Sequence, residues 1–106
     1  MVSRVVRIST GHFDPDKMPL VRKALENSFN KLAPGIRSMK GNIDYFVGLD
    51  AENYAMVNVS SWDSISSAKQ MEQFQPMQEL AKEFIGMGVR FDRPILNFEP
   101  VWTIDA

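Results

Sequence analysis

Read in chain order, the 106 residues give strand, helix, two strands, helix, strand, and the predicted strands carry apolar side chains on both faces. Two helices can cover only one face of a sheet. Exposing the other would leave an apolar patch larger than a monomer ordinarily tolerates. The pattern therefore predicts an α+β sandwich of one domain spanning residues 1–106, with its uncovered sheet face closed by a second copy of the chain.

The elements follow from local signals. Residues 2–9 are rich in β-branched side chains and read as the first strand. Thr10–Gly11–His12–Phe13 reads as a turn, and Asp14 before Pro15 as a helix cap. Met18, Val21, Leu25, Phe29 and Leu32 then step by three and four along one helical stripe, which Pro34–Gly35 is expected to end. Ile43, Tyr45, Val47 and Leu49 alternate with Asp44, Phe46, Gly48 and Asp50 in a second strand. A polar connection over 50–53 leads to a third strand from Tyr54 to Trp62. There Ala55, Val57 and Val59 share one face, and Met56, Asn58, Ser60 and Trp62 the other. Asp63 or Ser64 can cap a second helix with the stripe Ile65, Ala68, Met71, Phe74, Met77, Leu80 and Phe84. Pro76 predicts a break near Gln75. After Gly86–Met87–Gly88 a last strand runs from Val89 towards Ile104. Pro94 and Pro100 predict that it is bent, bulged or at an edge.

Composition removes several functions. A net charge of −1 provides no basic field for nucleic acid. The absence of cysteine excludes disulfides, thiol catalysis and zinc-thiolate sites, and fits a cytoplasmic setting. The opening MVSRVVRIST reads as neither signal peptide nor membrane span. His12, the single histidine, cannot build a metal site alone, and no carboxylate stands at helical ligand spacing to it. Gly86-Met87-Gly88 lacks the third glycine and following helix of a phosphate loop. Neither a metal nor any other cofactor is expected.

With Asn58-Val-Ser-Ser-Trp62 on the third strand followed by a capped helix, the chain resembles the antibiotic biosynthesis monooxygenase-like domains of the dimeric α+β barrel superfamily. The resemblance covers nearly the whole chain as topology. It implies a ferredoxin-like βαββαβ protomer with a four-stranded antiparallel sheet, joined to its twin as a barrel, and a pocket between sheet and helices. Some members oxidise aromatic polyketides with molecular oxygen and no cofactor. Their site is lined by an asparagine and a tryptophan four residues later, a spacing that Asn58 and Trp62 match. The helix after Trp62 departs from those enzymes in having no tyrosine and no arginine before Arg90. The helix histidine of the haem-degrading relatives is missing too, so haem binding is not carried over.

The site candidates follow from chemistry. Asn58 can hydrogen-bond an oxyanion, and an indole at Trp62 offers a stacking face and an N–H donor. Each has a plainer reading, Trp62 as core and Asn58 as partner of a helix end. His12, the single histidine, is a candidate proton shuttle, against a solvated loop histidine. Arg7, inside an apolar strand, is a candidate anchor for an acidic group, against an edge or dimer contact. Tyr45 is a candidate pocket donor, and Met71 and Phe74 a candidate flexible lining, against ordinary packing. The expected partner is a small apolar or aromatic molecule. A catalytic site predicts an open cavity above about 300 Å³ bordered by Asn58 and Trp62. A non-catalytic small-ligand binder, or a structural module, on the same scaffold is the alternative.

Overall fold

The computed structural model describes residues 4–105. The predicted strand start at Val2–Ser3 lies outside them. Five strands, β1 (Val5–His12), β2 (Asn42–Asp50), β3 (Ala55–Trp62), β4 (Arg90–Phe91) and β5 (Leu96–Phe98), form one antiparallel sheet. The helices are α1 (Met18–Arg37), α2 (Ile65–Ala68) and α3 (Gln75–Gly86). In the sheet order β2-β3-β1-β4, β5 continues the outer position beside β1. Two short strands thus occupy the place of the expected fourth. Gly11 faces Phe91, and an unbroken ladder would then put Val6 opposite Leu96. Val6 instead faces Phe98, so two extra residues are looped out between β4 and β5, around the cis Arg93–Pro94 bond. The prolines predict a strand that is bent, bulged or at an edge, and the looped-out residues beside β1 are the form it takes.

β1 runs on to His12, three residues past its expected end, because Gly11 is needed inside it. A Cβ there would stand 2.6 Å from Val89 Cγ1 and 3.0 Å from the Phe91 ring. The glycine admits the returning chain instead of making a turn. α1 also runs past Pro34–Gly35 to Arg37, since its buried stripe is Val21, Leu25, Ser28, Leu32 and Ile36. Burial of Ile36 holds the helix together across the proline. Phe29, expected in that stripe, is 60% exposed and lies under the Arg37 guanidinium, 5.4 Å from it. Asp14 makes no side-chain cap bond, and a 3-10 turn over Pro15–Lys17 precedes α1.

The second helical region breaks where expected. α2 is capped by Ser64, whose hydroxyl accepts from Ser67 N at 3.1 Å, and leads into a 3-10 turn over Lys69–Gln73. Phe74 then takes an extended conformation before Pro76 starts α3. Met71, Leu80 and Phe84 point from this region into the core, while Ile65 is exposed.

Register assigns the sheet faces. Val5, Arg7, Ser9 and Gly11 pair with Trp62, Ser60, Asn58 and Met56, and Tyr45, Val47 and Leu49 pair with Ser60, Asn58 and Met56. This face meets the helices and holds the core. The opposite face carries Val6, Ile8, Val57 and Val59, flanked by Phe46 (57% exposed), Leu96 (60% exposed) and Phe98. Among the described residues no helix covers it, as the sequence implies.

Candidate functional site

A cavity of about 70 Å³ lies between the inner sheet face and the helices. Its floor is polar and comes from three strands: Arg7 and Ser9 of β1, Tyr45 of β2 and Asn58 of β3. Its roof is apolar, with Met71, Met77, Leu80 and Phe84. A larger groove of about 260 Å³ adjoins it between α1 and β2 and shares Leu25, Ser28, Leu32 and Tyr45 as a common wall. Methionines on both sides of the smaller space, Met56 below and Met71 and Met77 above, are the side chains best able to yield to a guest.

The polar floor has a defined internal bond. Tyr45 Oη donates to Asn58 Oδ1 at 3.2 Å. That bond uses the amide oxygen and leaves the Asn58 Nδ2 hydrogens to serve as donors. Burial pushes the Tyr45 phenol well above its ordinary pKa, with the Arg7 charge opposing the shift. The phenol is therefore neutral and a donor at physiological pH. Burial likewise pushes the Arg7 guanidinium below its ordinary value, and the field of Glu72 partly offsets this. On α1, Ser28 interrupts the apolar stripe and satisfies itself by donating to Leu25 O at 2.6 Å.

Four of the seven residues singled out from the sequence meet here: Arg7, Tyr45, Asn58 and Met71. Three do not line the cavity. Trp62 is on the same face of β3 but fully buried beyond it, with its Nε1 donating to Ser60 Oγ at 2.8 Å. Packing closes over the indole, and the cavity it was expected to border is also well below 300 Å³. Phe74 sits at the break before α3 with its ring against Gly35. A Cβ on Gly35 would lie 2.5 Å from Phe74 Cε1 and Cζ, so the glycine brings α1 close to that ring. His12 is the last residue of β1, not a loop residue, and it belongs to the outer face with Val6 and Ile8. Its Nε2 is 2.9 Å from Asp92 Oδ2. It does not share a cavity with Asn58 within one protomer.

Sequence reasoning missed Ser9, Ser28 and Arg93. The alternation that turns Arg7 inward also turns Ser9 inward, and a serine between Leu25 and Leu32 on a helical stripe is a readable anomaly. Arg93 reaches the cavity from the looped-out residues between β4 and β5, a placement with no periodic signal. Among the described residues no cluster of three or more metal-ligating side chains occurs, and no helix is long and apolar enough to cross a membrane.

No family model matches this chain, and no curated protein matches it. Solved structures do. A candidate antibiotic biosynthesis monooxygenase from Deinococcus radiodurans superposes with a TM-score of 0.72 at 16% identity, covering 96% of this chain and 97% of that one. A dimeric ferredoxin-like protein from an uncultured marine organism gives 0.73 at 13%, covering 96% and 99%. A second candidate antibiotic biosynthesis monooxygenase, from Nitrosomonas europaea, gives 0.64 at 11%, covering 92% and 88%. The chain thus has, over nearly its whole length, the α+β ferredoxin-like fold seen in antibiotic biosynthesis monooxygenase-like proteins.

Proposed function

We propose that residues 1–106 act as one small-molecule domain, a cofactor-independent monooxygenase or related enzyme on an aromatic or polyketide-like substrate held between sheet and helices. The observation that carries this reading is the Tyr45–Asn58 pair at 3.2 Å on the polar floor of a cavity roofed by Met71, Met77, Leu80 and Phe84. The substrate's enolate or phenolate oxygen would lie against the Asn58 Nδ2 hydrogens, which Tyr45 fixes in orientation. Fixed donors in a dry site stabilise developing oxyanions more than water does. The substrate supplies the electrons: its CH2 and O2 become C=O and H2O, one oxygen atom entering the product and the other leaving as water. The solved neighbours described as candidate monooxygenases support this reading at the level of the fold.

The working unit in this proposal is a homodimer in the cytoplasm. The uncovered apolar face supports the dimer, with two such faces packing together. The solved dimeric ferredoxin-like neighbour also supports it.

Oxygen uptake with anthrone as probe, without added metal or cofactor, tests the enzymatic reading. The expected result is turnover above background that falls by on the order of 10²-fold in Asn58→Ala. Uptake equal to background in the wild type overturns it. A second reading, a non-catalytic small-ligand binder, is favoured by one observation: among the described residues no histidine or carboxylate lines the cavity with Asn58, and burial keeps the Tyr45 phenol protonated. Saturable binding of anthrone without turnover would select that reading.

A further inference from the structure

Arg7 is 9% exposed, in the middle of β1 on the helix-facing side of the sheet. None of the three ion pairs among the described residues includes it, and none of their side-chain hydrogen bonds reaches its guanidinium. A guanidinium keeps its proton under all ordinary conditions, and a buried charge is normally paired. The charges around it do not supply that pairing. Glu72, on the exposed turn after α2, acts through its field alone, and Arg93 at the cavity wall adds a second positive charge. Across the ladder from Arg7 stands Asn97, whose Oδ1 is buried and without a protein partner. A guanidinium without a protein partner and a buried, unpartnered amide oxygen thus face each other beside a cavity roofed mainly by apolar side chains.

Burial of this kind has no rationale in stability. Replacing a buried charge by an apolar side chain of similar volume is commonly neutral or stabilising. A guanidinium does have a rationale as a recognition group, since its planar fork binds a carboxylate through two parallel hydrogen bonds. Ser9 and the Asn58 amide line the same floor and can donate to the remaining lone pairs of such an anion.

We infer that the cavity selects small organic anions, a planar carboxylate or enolate held by Arg7 with its apolar body under Met71, Met77 and Phe84. This deepens the proposal that the cavity holds a small molecule, and it rests on that proposal. It names a requirement that an apolar pocket would not have: the neutral isostere of the ligand binds more weakly than the anion.

Benzoate and benzamide provide the test, because they share shape and differ in charge. Calorimetric titration of the wild type should show benzoate binding at least tenfold more tightly than benzamide. That preference should survive about 0.5 M sodium chloride, where attraction to exposed arginines is screened. In Arg7→Met the preference should disappear while benzamide binding stays within threefold. Arg90→Met, at an exposed position outside the cavity, should retain it. The unliganded Arg7→Met protein should melt at or above the wild-type temperature. If that variant does not fold, Arg7→Lys serves instead, and its preference should fall because an ammonium has no fork. Equal binding of the two probes overturns the anion inference and leaves the small-molecule reading standing. A benzoate preference that persists in Arg7→Met, or vanishes in high salt, overturns the assignment to Arg7. Binding of neither probe overturns the inference together with the reading beneath it.

Discussion

Trp62→Phe separates the structural from the catalytic reading of the most conspicuous residue on β3. The indole is fully buried and donates to Ser60 Oγ at 2.8 Å, and Ser60 is itself buried. Three losses follow from the substitution. A phenyl ring is smaller by roughly 40 Å³, which at about 24 cal/mol per Å³ of residual cavity is about 1 kcal/mol. The apolar surface lost with the second ring contributes about 1 kcal/mol more. The Ser60 hydroxyl, left buried without its partner, adds about 1–2 kcal/mol. The sum is about 3–4 kcal/mol, a fall in melting temperature of about 12–25 °C for a chain of this size. Thermal and urea unfolding followed by far-UV circular dichroism measure it. The double variant Trp62→Phe/Ser60→Ala should be less destabilised than the sum of the two single variants by about 1–2 kcal/mol, because it removes both ends of one hydrogen bond. Oxygen uptake or probe binding, measured well below the variant's melting temperature, should stay within threefold of wild type, since the indole does not line the cavity. A variant that keeps the wild-type melting temperature and loses activity would refute this reasoning and return Trp62 to the site.

Two further outcomes are expected. Phe46→Glu places a charge at an exposed position on the outer face, so the protomer should keep its fold and circular dichroism spectrum while light scattering shows a dimer giving way to a monomer. A wild type that is already monomeric at tens of micromolar overturns the dimer. For Tyr45, burial raises the folded-state pKa above the value of about 10 in the unfolded chain. The unfolded state then loses its proton first, so stability is fully present below pH about 10 and is lost as pH climbs beyond it. Urea midpoints between pH 9 and 11 (roughly one unit either side of the free phenol's value) should fall more steeply in the wild type than in Tyr45→Phe; parallel curves would place the phenol in water.

The fold was legible because its signals are periodic. The alternation through β3 put Met56, Asn58, Ser60 and Trp62 on one face, and the 3.6-residue stripes put Val21, Leu25, Leu32, Met71, Leu80 and Phe84 in the core. The errors fall where a local signal has two meanings. Thr10–Gly11 has turn chemistry, but Gly11 is there to admit Val89 and Phe91. Pro34–Gly35 has helix-ending chemistry, but burial of Ile36 beyond it prevails, and Gly35 makes room for Phe74. For the site, face and element could be read, which gathered Arg7, Tyr45, Asn58 and Met71. Depth could not. Nothing in Asn58-Val-Ser-Ser-Trp62 says that the indole seals itself against Ser60, and moving one strand end by three residues transferred His12 from a loop to the outer face.

One residue that no periodicity announces allows the site to form at all. Ile43, placed by alternation on the face of Tyr45, is exposed, because the β2–β3 ladder has a bulge between Asn42 and Asp44. Asn42 faces Trp62 and Asp44 faces Ser61, so one residue is inserted in β2 and the parity of everything after it is reversed. Without the insertion, Asn42 opposite Trp62 would continue inward to Asp44 and Phe46, sending Tyr45 outward. With it, Tyr45, Val47 and Leu49 face the helices, and Asp44 and Phe46 face away. The Asn42 side chain stabilises the irregularity, donating from Nδ2 to Asp44 O at 3.0 Å and Ser61 O at 3.4 Å. Gly41 enters the strand with a φ of +78°, a conformation that L side chains rarely adopt. A single extra residue therefore decides two surfaces at once. It brings the Tyr45 hydroxyl to Asn58 on the inner face and exposes Phe46 on the outer face, so the geometry of the cavity and the apolar character of the opposite face are set by the same irregularity.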